Sequence, residues 1–356
     1  MAKSCYVHVP FCDSICSYCD FSRTIASDAI KEKWLEQICN EIKNARVETL
    51  STLYFGGGTP SSLNENQIQR LACCFQNFEK DYEWTIECNP ESVTKSKAEL
   101  YVHLGMNRVS LGVQSFKDSL LSRIGRKHTK ETILQAISIL KEAGISNISI
   151  DLIYALPGQT LEDVKSDLEQ FLQLDIPHLS IYSLQIEENS IFGKQHLEPA
   201  DPELEADMYD CICDTLKAHG FEHYEISSFC KPGMYSRHNL AYWTDQDFIG
   251  MGCGASGRED GIRYDNARSL KQYVECGVER IEQETDGPFE AIMMGLRTSF
   301  GVDLNAFELK YGFDALERYH TVIERYKEEL FVENSHLKCN EYGFHILNTI
   351  LIDFLE

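Results

Sequence analysis

Positive charge is scarce in this chain: 33 lysines and arginines stand against 56 aspartates and glutamates, a formal charge of -23. An exterior of that sign repels phosphate backbones and anionic lipid surfaces, so no nucleic-acid partner is expected. Long apolar runs are missing too. The most apolar late segment, Ile346 to Leu355, is broken by Asn348, Thr349 and Asp353 and falls far short of the ~20 residues a spanning helix needs. No integral membrane segment is expected. Strand-like residues begin already at Cys5, which leaves no space for the charged region, apolar stretch and cleavage site of an export signal, so a cytoplasmic location is the expectation. Internal repeats and low-complexity tracts are absent as well, which excludes solenoids and disordered tails.

Cysteine, by contrast, is plentiful, with 14 in 356 residues. Disulfide scaffolds are short and secreted, so in a chain of enzyme size these read as reduced thiols. Cys39, Cys73, Cys74, Cys88, Cys211, Cys213 and Cys276 fall inside apolar periodic segments, where free cysteine is expected to behave as a small buried hydrophobe.

Short β-rich runs at Cys5–Val9, Thr52–Phe55, Trp84–Cys88, Arg108–Val113, Asn147–Ile153 and His178–Leu184 alternate with helix-period segments. That rhythm predicts βα units with a parallel sheet, and six such units an open, partial (βα)6 barrel. Thr94 opens and Gly105 closes one helix, as Thr129 and Gly144 do another. After about residue 190 the rhythm loosens. A helix over Glu203–Ala218 and a strand over His223–Ser228 lead into a Gly-rich, aromatic stretch from Phe229 to Tyr264, expected to be an irregular rim. From about residue 286, helices followed by a short hairpin predict a mainly helical, winged-helix-like module; on so acidic a chain it suits a packing or partner surface better than a DNA reader. The expected division is thus 1–190, 191–285 and 286–356.

The strongest chemical signal is Cys12-Asp-Ser-Ile-Cys16-Ser-Tyr-Cys19, in the loop after the first strand. Three thiolates suit an iron-sulfur cube with one iron left open, whereas structural zinc wants four ligands in paired short spacings. A fourth ligand from elsewhere, such as Cys5, stays open at this stage. After the second strand comes Tyr54-Phe-Gly-Gly-Gly58-Thr59-Pro60, glycines that let backbone approach a ligand closely. Gly252-Cys-Gly-Ala-Ser-Gly257 spells GxGxxG, but a polar strand follows instead of a helix, so no dinucleotide site is assigned there.

These motifs resemble the radical S-adenosylmethionine (SAM) superfamily, whose hallmark is CxxxCxxC after the first barrel strand. The resemblance implies that Cys12, Cys16 and Cys19 ligate a 4Fe-4S cluster. It also implies that SAM is surrounded by Tyr6, Tyr18, Gly57, Gly58, Thr59, Glu87, Gln114, Arg126, Asp151 and Gln185, and that one electron from the cluster cleaves the sulfonium carbon-sulfur bond to give a 5'-deoxyadenosyl radical. Arg126 can fork onto the methionine carboxylate, and carboxylates and amides can accept from ribose hydroxyls and the amino group.

Within the superfamily the chain is similar to the oxygen-independent coproporphyrinogen III oxidases, which decarboxylate a porphyrinogen. It departs from them at two places. Their further motif cysteine, two residues after the third, is Phe21 here, and the short stretch before Cys12 cannot hold their N-terminal extension. Arg237-His238-Asn239-Leu240-Ala241-Tyr242-Trp243 instead matches the HNxxYW signature of the haem-chaperone branch. The resemblance therefore implies a haem chaperone lacking the oxidase activity, with His238, Tyr242 and Trp243 at the haem. An imidazole is a usual axial ligand, and aromatic faces suit a porphyrin. His8 is the other histidine considered for haem. The implied partners are haem, recipient haem proteins such as respiratory ones, a flavodoxin- or ferredoxin-like electron donor, and a second copy in a homodimer.

Overall fold

The alternation of short apolar runs and helix-period segments folds into βα units. The computed structural model describes every residue except Met1, Arg46 and Glu356. Strands β1 (Ser4–Val9), β2 (Leu50–Gly57), β3 (Phe78–Cys88), β4 (Arg108–Gln114), β5 (Asn147–Tyr154) and β6 (His178–Ser183) are separated by helices α1 (Asp28–Asn44), α2 (Glu65–Ala72), α3 (Lys95–Leu104), α4 (Asp118–Arg123), α5 (Lys130–Ala143) and α6 (Leu161–Gln173). All six strands pair in parallel, in sequence order. The punctuation works as expected: Thr94 and Thr129 accept the backbone N–H groups of Lys97 and Thr132, and Gly105 and Gly144 close the helices in the left-handed conformation.

Period-two alternation divides each strand between two environments. Cys5, Val7 and Val9 of β1, Trp84 and Ile86 of β3, and Val109, Leu111 and Val113 of β4 join Trp34, Leu35 and Ile38 of α1 in the main hydrophobic core between sheet and helices. Burying each such large side chain contributes about 1.5–3 kcal/mol. The alternate positions turn inward and are polar: Thr52 and Tyr54 on β2, Glu87 on β3, Ser110 on β4, Ser149 and Asp151 on β5, His178 on β6. They hydrogen-bond across the lumen, as Ser110 Oγ does to Asp151 at 3.1 Å and Ser149 Oγ with His178 Nδ1 at 2.7 Å. A polar lumen is room for a polar ligand.

Beyond β6 the chain is more regular than expected. After α7 (Ile191–Lys194) and α8 (Pro202–Ala218), the strand predicted over His223–Ser228 breaks at Ile226–Ser227 into β7 (Glu222–Glu225) and β8 (Ser228–Cys230), an antiparallel pair on the β6 edge. The Glu225 carboxylate accepts the Ser227 N–H and holds the corner. The supposed irregular rim forms α9 (Arg237–Trp243) and three strands, β9 (Phe248–Met251), β10 (Ser256–Glu259) and β11 (Ile262–Asn266); after α10 (Leu270–Cys276), β12 (Arg280–Glu282) closes that edge. β9 pairs in parallel with β1, giving a twelve-stranded open sheet. Four-residue strands amid glycines are too short to show a period in sequence. The GxGxxG stretch is the β9–β10 turn, with no helix opening from it.

Residues from α11 (Gly287–Leu296) onward pack around a second core of Ile292, Leu296, Phe307, Leu337 and Ile350. It holds α12 (Leu304–Tyr311), α13 (Ala315–Arg318), α14 (His320–Arg325), α15 (Glu341–His345), α16 (Leu347–Asp353) and a sheet in which β13 (Val302–Asp303) and the hairpin β14 (Leu330–Glu333) and β15 (His336–Cys339) pair in the order β13-β15-β14. No helix among the described residues is long and apolar enough to cross a membrane.

Candidate functional site

Two loops meet above the C-terminal ends of β1 and β2. The cysteine loop is tied at its base by Thr24 N to Pro10 O and Cys12 N to Thr24 O, and the glycine loop is stitched to it by Gly58 N to Val9 O (2.8 Å) and Thr59 N to Phe11 O (2.7 Å). Gly58 has no space for a side chain: a Cβ there would sit 2.7 Å from Phe11 O and 3.1 Å from Cys12 Sγ. Gly57 has φ +113°, and a Cβ would strike the His8 ring. Thr59 Oγ1 lies 3.5 Å from Cys12 Sγ.

The three thiols lie on this one loop, near enough for Cys12 and Cys19 to feel their neighbours' charge, but among the described residues no three metal-ligating side chains converge on one point. Burial pushes Cys12 up to about 11, against the Thr59 hydrogen bond, and burial likewise raises Cys19. Loading metal onto them therefore displaces protons. Two cations favour that displacement: Arg126 Nη1 lies 3.4 Å from Cys16 Sγ, and the Arg23 guanidinium grips the carbonyls of Cys19 and Phe21. Three cysteines on one loop beside two guanidiniums suit a cube with one iron left without a protein ligand. Cys5 does not join them. It points outward from β1 into the hydrophobic core, where burial raises its pKa far.

Below the loops the inward-facing residues form a carboxylate pair. Glu87 accepts Tyr54 Oη–H at 2.8 Å and Gly57 N–H at 3.1 Å, so the glycine loop is aimed by a β3 side chain. Burial pushes Glu87 up to about 7 and Asp151 up to about 6. Arg126 reaches in from beyond α4, donating to Asn89 Oδ1 at 2.9 Å and to the Gly112 carbonyl, while its buried Nε has no partner among the described residues. Gln114 adopts φ 68° where the β4–β5 register slips, which turns its side chain off the strand line. Such strain in a non-glycine residue collects at functional sites. Tyr6 Oη meets His8 Nδ1 at 3.2 Å, and His8 Nε2 holds Ser22 O at 2.7 Å. An amino acid and a ribose fit this cradle: an orphaned guanidinium N–H for a carboxylate, carboxylates for an ammonium group and hydroxyls, and glycine backbone for close approach.

The structure gathers Tyr6, Gly57, Gly58, Thr59, Glu87, Gln114, Arg126 and Asp151 at one end of the barrel. Tyr18 sits half-buried on the cysteine loop, packed against a small cluster of Leu120, Ile124, Ile153, Leu156 and Phe192. Gln185 lies exposed just past β6, and among the described residues no hydrogen bond ties it to the others. Asn89 and Tyr54 position Arg126 and Glu87. Both stand inside motifs visible in sequence, but only the fold shows them as supports.

The HNxxYW residues are elsewhere. The Glu83 carboxylate accepts the N–H groups of Arg237 and His238, which anchors α9 across the floor of the lumen. His238 is fully buried; its Nδ1 meets Thr52 Oγ1 at 2.8 Å and its Nε2 meets Tyr242 Oη at 2.6 Å. The imidazole stacks on Tyr54 (5.0 Å, 28°), which stacks on Tyr6 (6.0 Å, 28°). Burial, with the Arg108 charge adding to it, holds the imidazole neutral and pushes its pKa down to about 3. Both nitrogens of this neutral ring are thus engaged by hydroxyls, Thr52 on one side and Tyr242 on the other. Both nitrogens of His8 are engaged too. Trp243 is half-buried. Phe21 on the cysteine loop is 69% exposed, and Ile15 and Ile25 of the same stretch are exposed as well.

Comparison with known proteins agrees with this arrangement. The profile of the radical SAM superfamily matches residues 6–171, and that of the HemN C-terminal domain matches residues 283–344. A protein of Lactococcus lactis subsp. lactis (strain IL1403) named heme chaperone HemW is 37% identical, covering 99% of this chain and 97% of its own length. Its namesake in Bacillus subtilis (strain 168) is 36% identical, covering 94% and 93%. Among solved structures, coproporphyrinogen III oxidase (HemN) of Escherichia coli superposes with a TM-score of 0.85 at 22% identity, covering 99% of this chain and 89% of that one. This last likeness speaks for the fold.

Proposed function

This chain belongs to the HemW family of radical SAM proteins, and from that membership we propose that it is a haem chaperone, holding haem and passing it to a recipient haem protein. The observation that carries the reading is identity above a third, over nearly the whole chain, with proteins named for that role. Cys12, Cys16 and Cys19 hold the 4Fe-4S cluster. Arg126 takes the SAM carboxylate, while Gly57, Gly58, Thr59, Glu87 and Asp151 take its amino group and ribose, with Tyr6, Tyr18, Gln114 and Gln185 around them. When bound, the reduced cluster supplies the electron that cleaves a sulfonium carbon-sulfur bond. The chain's own part is to hold the cofactors and keep Glu87 and Asp151 dry and able to accept.

Haem docks at the cysteine loop, where Phe21 offers an exposed flat apolar face. His238, Tyr242 and Trp243 are the alternative contact, which requires α9 to leave the floor of the lumen. Recipients are haem proteins, respiratory ones included; a flavodoxin or ferredoxin supplies the electron, the protein works in the cytoplasm, and a homodimer is one assembly to test.

The test is anaerobic reconstitution followed by haem titration and a coproporphyrinogen assay with SAM and reductant, on wild type, Phe21→Ala and Trp243→Ala. The expected result is a Soret shift in the wild type without protoporphyrinogen, and binding weakened about tenfold or more in Phe21→Ala, the scale of one lost aromatic contact. No Soret shift in the wild type overturns the chaperone reading. Loss confined to Trp243→Ala moves haem to α9. Turnover by the wild type would favour the second reading, a coproporphyrinogen oxidase, which rests on the C-terminal match at residues 283–344.

A further inference from the structure

Of the seven cysteines expected to be buried hydrophobes, only Cys88 is buried; Cys73 and Cys276 are exposed and Cys39, Cys74, Cys211 and Cys213 half-buried. Two of them, 35 positions apart in sequence, meet in space. Cys39 lies on the α1 face that packs on α2, and Cys74 lies just past the end of α2. A single oxygen, the Arg70 carbonyl, is 4.0 Å from Cys39 Sγ and 3.4 Å from Cys74 Sγ. The shared carbonyl makes the two thiols neighbours, and Lys43 and Arg70 place positive charge beside them.

We propose that Cys39 and Cys74 are a reversible dithiol–disulfide pair that exchanges with low-molecular-weight disulfides and cross-links α1 to the chain leaving α2. The roles of the two thiols are unequal. The Cys74 hydrogen bond, outweighing partial burial and helped by Lys43 and Arg70, brings Cys39 down to about 7, while the same bond and burial push Cys74 up. A low-pKa, accessible thiolate next to a second thiol is the arrangement that reacts first and is then resolved.

Cys39 thiolate attacks one sulfur of the disulfide RSSR. The S–S bond breaks, one RS⁻ leaves and is protonated, and a mixed disulfide forms. Cys74 then loses its proton and attacks Cys39 Sγ, expelling the second RSH. Two protein thiols are oxidised and one RSSR is reduced to two RSH. The new bond braces the two helices that continue from the cysteine loop and the glycine loop.

The experiment uses the cluster-loaded full chain, equilibrated anaerobically with mixtures of oxidised and reduced glutathione, acid-quenched and mapped as tryptic peptides without reduction. The expected product joins peptide 34–43 to peptide 71–80; it persists in Cys73→Ser and vanishes in Cys39→Ser and Cys74→Ser. Cys74→Ser should accumulate a glutathione adduct at Cys39, and alkylation of Cys39 at pH 7 should slow roughly tenfold there as the thiolate is lost. Reduced glutathione in excess should restore both thiols. A link that survives Cys74→Ser, an adduct favouring Cys74 over Cys39, or no link at any glutathione ratio overturns the proposal.

Discussion

At the scale of single residues, the candidate site depends on atoms that have no room to change. An alanine at Gly58 would press against Phe11 O and Cys12 Sγ, so Gly58→Ala should lower cluster occupancy after reconstitution, read as iron and sulfide per chain, without unfolding the barrel. Glu87 makes a prediction of the opposite kind. Its folded pKa of about 7 lies above the ordinary 4.5, so the fold holds a proton that the unfolded chain releases between those values. Stability of the apoprotein from this group is full below pH 4.5 and falls as pH rises through 7, by on the order of 3 kcal/mol. Urea titrations across pH 4–8 should show that fall in the wild type and a much flatter profile in Glu87→Gln. The chemistry at this scale was largely legible in sequence, because CxxxCxxC and Tyr-Phe-Gly-Gly-Gly-Thr-Pro are local spacings that one loop realises by itself. The nearness of Cys39 to Cys74 was not, because 34 residues intervene and the packing of α1 on α2 brings it about.

Elements decide what those residues can reach. α9 is only seven residues long and is held by Glu83, Thr52 and the Tyr54 stack. His238→Ala should leave the Thr52 and Tyr242 hydroxyls short of a buried partner and Tyr54 short of its stacked neighbour, while Glu83 keeps the backbone N–H of residue 238, and cost about 2–4 kcal/mol of stability. Haem affinity should change little if haem docks at Phe21. Urea unfolding and Soret titration of the same variant check both halves, and a stable variant with lost haem binding would point back to His238 as the contact. The six parallel strands and the capped helices could be read from periodicity and from Thr and Gly punctuation. Of β7 to β12 only one strand over His223–Ser228 and a polar strand after the GxGxxG stretch could, since runs of three to five residues gain their strand character from an edge already formed by β1 or β6.

On the scale of the whole molecule, the C-terminal module has its own core and leans on the sheet through a small set of bonds. Ile226 N donates to Arg297 O, Ser299 N to Tyr224 O, and Asp245 receives Arg258, Lys310 and Tyr311 Oη. Asp245→Asn should raise hydrogen exchange in residues 287–311 while leaving SAM affinity of the reconstituted protein unchanged; a parallel loss of SAM affinity would show that the module supports the pocket. The sequence by itself determined the parallel α/β barrel, the thiol triad, the glycine loop and the family, since each rests on periodicity or on spacings within one loop, where chain connectivity limits the geometry. Only the tertiary structure decided that the HNxxYW imidazole is buried against Thr52 and Tyr242, that Phe21 is exposed on the cysteine loop, and that two distant cysteines share a carbonyl. Those outcomes depend on which faces of separate elements pack together, and the free energy that selects them comes from burying the rest of the chain.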